Sequence, residues 1–428
     1  MGESLVPLNL RKLRAPIVEG IARELERTEI YGNVVISTWS MRDLSKLDGL
    51  VSKGQLGADL FTHLGDEPIS TFVIRELQRM FVGGEWDLEA HSRLVDWPGF
   101  EDLEQVAAKL IAALESLPWT YVMTVRLPGS LTGPFSERFK TFELTPRHRI
   151  VNGDQLGGEF PLDVQEQGLQ ALYRSTSWDP AATYLQVTSS GYLASSATES
   201  FHRTRDEIHA FFGLGIALGL FDPFVDRYGD ERDSGQWRYV VHEGKGNGWQ
   251  QIGVHDLDDQ HARKLAGLRV NKFGEGSSDS LAAVLGRIGA VFRSEHGRKV
   301  ELAARWLFES YCSRDVLQEF IQATVALEIL LGDEAQPEGV GLTTLMANRC
   351  AYAIGRTPEH RETLIKDFRE IYRIRSKIVH TGKTRLSSEE RRYLFSLRSI
   401  CAIVIKREFE LVHRGDEVAA RRAAAAGS

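Results

Sequence analysis

Late in the chain, the stretch Arg369-Glu370-Ile371-Tyr372-Arg373-Ile374-Arg375-Ser376-Lys377-Ile378-Val379-His380-Thr381-Gly382 places an arginine and a histidine, Arg375 and His380, with four residues between them. The planar fork of an arginine suits a phosphate, and a histidine, with an ordinary pKa of about 6.5, moves protons near neutrality. The pair together can grip a phosphate and carry out acid–base chemistry on it. Ser376 adds a hydrogen-bonding hydroxyl beside the arginine. Arg373 is a second arginine upstream of the same histidine, so the elements that carry these residues must say which one counts.

The carrier is a helix. Thr357-Pro358-Glu359 supplies a cap, a proline at the first helical position and an acid in the first turn, and Gly382 supplies the stop. The apolar stripe between them is Leu364, Ile365, Phe368, Ile371, Tyr372, Ile378 and Val379. Arg375 lies three residues after Tyr372 and four before Val379, on the core-facing side, whereas Arg373 falls with Lys366 and Glu370 on the wet face. Three further patterns surround this helix. Ser313 caps one running to Leu331, striped by Val316, Phe320, Ala323, Leu327 and Leu330; Leu342, Leu345, Met346, Ala353 and Ile354 mark another. Ser387-Ser388-Glu389-Glu390 is a capping box for the last, striped by Leu394, Leu397, Cys401, Val404 and Ile405. Short connections between four such helices predict an antiparallel bundle.

Two more charges interrupt these stripes, Glu328 and Arg349. A charge on an apolar face must be paired or used, because desolvating it alone costs several kcal/mol. Glu328 with Arg349 reads as a structural ion pair that locks the helices. For Arg375 the same structural reading, a pair with Glu328, stands beside the functional one.

The rest of the chain mixes strands and helices. Helical patterns cover Ile17 to Thr28, Glu101 to Leu117 and Thr204 to Phe221; strand patterns cover Tyr31 to Trp39, Tyr121 to Leu127, Phe139 to Leu144, Tyr184 to Thr188 and Trp237 to His242. Phe72 to Phe81 fits either, and residues 145–180 are rich in turn formers. The expected class is α+β multidomain: a strand-containing regulatory region over residues 1–270, divisible into two subdomains, a Gly/Ser-rich linker at 271–280, a helical domain at 281–412 and a tail at 413–428 whose final alanines resemble an expression scar.

Composition narrows the function classes. With 42% hydrophobic and 26% charged residues in 428, the chain reads as an ordinary soluble protein with more than one core. Cys312, Cys350 and Cys401 lie in apolar helical patterns without a C-x-x-C pair, which predicts buried thiols in a reducing cytoplasm. Met1-Gly2-Glu3-Ser4 has no basic start, and the apolar run Ile208 to Phe221 is too short for a membrane span. His255-Asp256-Leu257-Asp258-Asp259-Gln260-His261 contains metal-type ligands but reads as helix-start charge, and Gly244-Lys245-Gly246-Asn247-Gly248 reads as a surface turn without phosphate-loop spacing. The expectation is no metal and no cofactor. Residues 279–428 carry 24 Lys and Arg against 20 Asp and Glu, a balance of +4, while residues 1–278 carry 28 against 39, or −11. The basic share is mostly arginine, which points that end towards nucleic acid.

The segment from Arg375 to His380, after Phe368-Arg369-Glu370-Ile371-Tyr372 and before Thr381-Gly382, resembles the R-x(4–6)-H motif of the HEPN superfamily. Together with Ala326-Leu327-Glu328, Leu330-Leu331 and Asn348-Arg349-Cys350-Ala351, it is similar to the Apea-like HEPN branch over roughly residues 313–412. At the position after the arginine, where the family often has Asn, Asp or His, this chain has Ser376. The resemblance implies an all-α bundle and a metal-independent endoribonuclease that forms a composite active site in a homodimer and acts in prokaryotic antiviral defence. Carried over, Arg375 and His380 are catalytic, with Ser376, Tyr372, Glu328 and Arg349 in support. RNA is the implied partner, and a phage-derived trigger or the chain's own acidic N-terminal region the implied regulator.

Overall fold

A computed structural model describes residues 8, 10, 12–32, 34–35, 43–81, 89–162, 177–223, 237–271, 278–332 and 341–426. Along the chain these form α1 (Arg14–Glu26), β1 (Glu29–Tyr31), β2 (Val34–Val35), α2 (Leu44–Val51), α3 (Gly54–Leu64), α4 (Pro68–Met80), β3 (His91–Arg93) and α5 (Leu103–Glu115). There follow β4 (Trp119–Arg126), α6 (Gly129–Ser136), β5 (Thr141–Thr145), β6 (His148–Asn152), β7 (Thr183–Gly191), α7 (Glu199–Ala217), β8 (Phe221–Asp222), β9 (Arg238–Lys245), β10 (Gly248–Asp256), α8 (Asp259–Gly267) and β11 (Arg269–Val270). The remainder is helical: α9 (Ser278–Arg293), α10 (Arg298–Cys312), α11 (Val316–Leu331), α12 (Leu342–Ile354), α13 (Pro358–Thr381) and α14 (Ser388–Ala426). The class is α+β, and no helix of the described residues is long and apolar enough to cross a membrane.

A six-stranded antiparallel sheet in the order β10-β9-β4-β7-β6-β5 dominates the first half. Its central strand, β4, is covered on both faces. Tyr121, Met123 and Val125 enter the main core, while Val122 packs with Phe160, Trp178, Tyr184 and Val240 in a smaller cluster on the other side. That alternation is the period-2 geometry of a strand, and double coverage explains why β4 reads as one apolar run. The glycine-rich stretch at 244–248 is the two-residue turn between β9 and β10, with Lys245 paired to Gly248.

Several sequence expectations shift. Phe72 to Met80 belongs to helix α4, with Phe81 just past its end, and Pro68 starts the helix at a position where its missing N–H costs nothing. Thr198 caps α7 six residues before the helical pattern becomes visible, its hydroxyl accepting from the Phe201 amide at 3.3 Å. The turn-rich span at 145–180 contains β6, and β10 lacks a strand signal because it is an edge strand, half exposed along most of its length. Of the strand expected from Tyr31 to Trp39, Tyr31 lies in β1 and Val34–Val35 form β2, while residues 36–39 lie outside the described residues, as do 272–277 of the linker. Residues 278–280 of that linker are already helical, and the last helix runs on through the expected tail, across Gly415 and into an alanine-rich end, to Ala426.

The first core joins α1–α5, with Ile21, Phe72 and Ile111 fully buried. The second is continuous from Tyr121 on β4 to Phe409 on α14, so the sheet and the C-terminal helices share apolar contacts. Cys312, Cys350 and Cys401 are free and buried, as their apolar contexts suggest. The joint is α7 against α10. From Ile208 to Ala217 every residue of α7 is buried, and a Cβ at Gly213 would overlap the Ala304 carbonyl of α10. Gly213→Ala is therefore expected to lower stability by about 3 kcal/mol, at the upper end for overpacking because the obstacle is backbone. Chemical denaturation reads this directly, and an unchanged midpoint would mean the helices part there freely.

Candidate functional site

The R-x(4)-H residues sit on α13, and the expected end signals are in place. The Thr357 hydroxyl accepts from the His360 amide at 3.2 Å, Pro358 opens the helix, and Gly382 closes it with a left-handed φ of 64°. The capping box of α14 is also present, with the Ser387 hydroxyl accepting from the Glu390 amide at 3.2 Å and the Glu390 carboxylate accepting from the Ser387 amide at 2.8 Å. For α11 the capping group is Asp315, which accepts from the Leu317 amide at 2.8 Å, instead of Ser313. Helices α11, α12, α13 and α14 all touch one another. Their core is Phe320, Ala323, Leu327, Met346, Cys350, Phe368, Ile371, Leu397 and Cys401 among others. Val379, expected in the stripe, is 49% exposed, and Ile378 is half-buried. The core-facing side of α13 thus ends near Ile374, about one turn earlier than the apolar pattern suggests.

Arg375 lies at that margin. Its Nε is 3.4 Å from Glu328 Oε1 on α11, with each side chain about 30% exposed. The contact is an ion pair without hydrogen-bond alignment, because the buried Nε–H has no hydrogen-bonded acceptor. Tyr372, one turn earlier, is buried and stacks on Phe368 at 4.8 Å, and its hydroxyl points at the Met346 sulfur, 3.6 Å away. Burial pushes that hydroxyl well above its ordinary pKa, and the nearby Glu328 carboxylate pushes the same way. Glu328, Tyr372 and Arg375 therefore form one contact group. Arg349, expected to pair with Glu328, donates to the Leu331 carbonyl at 2.9 Å, one of the last carbonyls of α11 that its own helix cannot satisfy.

Ser376 and His380 are exposed. Helical geometry separates Arg375 from His380 by about 140° around the axis and about 7.5 Å along it. They occupy different sides of α13. Within the last two turns before it, Arg373 and Ser376 are the exposed residues within about 40° of His380, and Arg373 pairs with Glu370 on its own helix at 2.9 Å. Sequence phase places Arg375 inward and Arg373 outward, as found. It does not bring Arg375 onto the face of its histidine.

Two cavities among the described residues lie elsewhere. One of about 740 Å³ is walled by residues from α7–α8 and α10–α11, and another of about 640 Å³ lies beside Arg147, Glu207 and Glu301. In the first, His261 from the His255–His261 segment meets His209 and Glu309, two residues that the sequence analysis did not single out. No nearby spacing could have marked them, because they come from helices far apart in the chain. No family model matches the chain, and neither a curated protein nor a solved structure matches it.

A double-mutant cycle tests the Glu328–Arg375 contact. Glu328→Ala and Arg375→Ala should show a coupling of about 0.5–1 kcal/mol in unfolding free energy, as for half-exposed pairs. Strict additivity would show that the two charges meet without interacting.

Proposed function

We propose that the chain is a metal-independent endoribonuclease of the HEPN type, Apea-like branch, acting in prokaryotic abortive infection. The observation that carries this reading is the two-sidedness of α13. Glu328 and Tyr372 hold Arg375 at the margin of the core, while Ser376 and His380 stand exposed a few residues later. On this reading α11–α14 are the HEPN bundle. His380 takes the proton from a ribose 2′-OH or protonates the leaving 5′-oxygen, and Arg375 stabilises charge developing on the non-bridging oxygens. The 2′-oxygen attacks phosphorus, the 5′-oxygen leaves, and a 2′,3′-cyclic phosphate remains. DNA lacks that nucleophile.

A homodimer follows from the chemistry. One motif offers one histidine, whereas abstraction and donation of a proton are best served by two, and the wide angle between Arg375 and His380 favours a site completed by the partner's copy. The acidic residues 1–278 are assigned the regulatory role of masking the basic RNA surface until a trigger, such as a phage component, releases it.

A second reading has its own observation. The ion pair with Glu328 gives Arg375 a sufficient structural reason within one chain, which fits a purely structural role for the arginine, while a catalytically silent HEPN module serving as an RNA-binding or dimerisation scaffold would keep Arg375 for phosphate contact. Purified wild type and His380→Ala, incubated with total RNA in EDTA, separate the two. The nuclease reading expects cyclic-phosphate ends from the wild type and a loss of about 100-fold or more in the variant, since general acid–base catalysis contributes that much. His380 is exposed, so the substitution should leave the fold intact. Equal cleavage by both proteins, or by neither, rules out the nuclease.

A further inference from the structure

The 740 Å³ cavity carries chemistry that the α13 motif does not use. His209 from α7, His261 from α8 and Glu309 from α10 converge on its wall, with one ligand-type atom from each within 4.8 Å of the others. His209 Nδ1 lies 2.5 Å from one Glu309 oxygen, and His261 Nε2 lies 3.0 Å from the other. The two rings stack at 4.7 Å. Each ring is also held from behind. His209 Nε2 is 2.8 Å from the Tyr239 hydroxyl, and His261 Nδ1 is 3.6 Å from an Asp258 oxygen. Two imidazoles thus aim one nitrogen each at a shared carboxylate, and the Tyr239 hydroxyl fixes the other nitrogen of His209 as outer partners do around metal-bound histidines, while Asp258 lies behind His261 just beyond hydrogen-bond length.

The cavity's charge suits a cation. Asp256 and Asp258 line it with Glu309, and the opposing guanidinium groups of Arg205 and Arg305 both pair with Asp206.

An independent observation concerns Gln322 on α11. Its side-chain oxygen lies on the same cavity, is buried and has no hydrogen-bond partner, and the residue is only 9% exposed. A buried acceptor of this kind calls for a donor from the cavity side.

We propose that His209, His261 and Glu309 bind one divalent ion of the zinc class, with an open coordination position facing the cavity. Two imidazoles and a carboxylate match that class, whereas calcium and magnesium prefer all-oxygen sets. In a tetrahedral site with bonds of about 2.0–2.1 Å, ligand atoms stand about 3.3 Å apart. The carboxylate–imidazole contacts at 2.5 and 3.0 Å are near that spacing, whereas the stacked rings must turn towards a common point and the widest ligand separation must close from as much as 4.8 Å. This site is independent of the nuclease reading, whose chemistry needs no metal.

The test uses the metal-stripped full-length chain, without a histidine tag, titrated with Zn²⁺ by calorimetry and with Co²⁺ by visible absorption. One ion per chain is expected, with micromolar or tighter affinity and an intense four-coordinate cobalt spectrum. Glu309→Gln and His261→Ala should each weaken binding at least tenfold. Asp258→Asn, altering an exposed residue behind His261, should weaken it several-fold with the fold retained, as circular dichroism would verify. If the ligand variants fail to fold, the wild-type stoichiometry and spectrum together with Asp258→Asn decide the matter. Affinity weaker than about 1 mM, a six-coordinate cobalt spectrum, or wild-type affinity in folded variants overturns the proposal and leaves a hydrogen-bonded cluster only.

Discussion

The contact on which most of the molecule depends is the approach of α7 to α10 at Gly213 and Ala304. One face of α7 lies against the sheet and the other against a helix of the C-terminal third. No side chain larger than hydrogen fits at the crossing, so the two backbones come close enough to exclude water and a single apolar core can run from β4 to α14. The same crossing sets the cavity. His209 stands one turn before Gly213, and Glu309 stands five residues after Ala304. A small change in the separation of these helices would therefore act first on the 2.5 Å contact between His209 and Glu309.

The protein holds its inward-facing charges in two different ways. Glu309 is half-buried on the cavity wall and receives two imidazole partners, so its charge is met by directed hydrogen bonds. Glu328 is shallower and meets Arg375 at 3.4 Å, close enough for attraction and too poorly aligned for a hydrogen bond. At about 30% exposure, solvent screens much of that attraction. A pair of this kind is weak glue, yet it limits where the guanidinium can go. That combination is compatible with a residue that swings from Glu328 to a phosphate at modest energetic loss.

Legibility in the sequence follows the range of each interaction. The caps at Thr357 and Ser387, the stop at Gly382 and the stripe of α5 were visible because each is decided within a few residues. Edge strand β10 was not, since half-exposed positions impose no alternation, and helices α2 and α3 were hidden by short length and internal glycines. Within the candidate site, the inward phase of Arg375 and the outward phase of Arg373 were legible, but Glu328 had two candidate partners, Arg349 and Arg375, and only helix packing brings Arg375 to it. His261 illustrates the limit well. Asp258 does cap α8, accepting from the Gln260 amide at 2.9 Å, so the unremarkable explanation of that segment is correct for the aspartate. It says nothing of a histidine whose partners lie 52 residues before it and 48 after.

The geometry of α13 constrains any chemistry assigned to its motif. Five residues turn a helix by about 140°, so an arginine anchored towards the core and a histidine five positions later cannot face one phosphate from the same side. Longer members of the R-x(4–6)-H spacing change that angle. With six intervening residues the rotation is about 340°, and the two side chains nearly eclipse. Arg373 stands in that relation to His380, and its carboxylate partner Glu370 is a surface neighbour that solvent can replace. If one chain alone supplied both groups, Arg373 would be the better placed arginine. If Arg375 is the phosphate-binding group, the geometry requires the histidine of a second copy, and the four-residue spacing becomes an argument for a shared site.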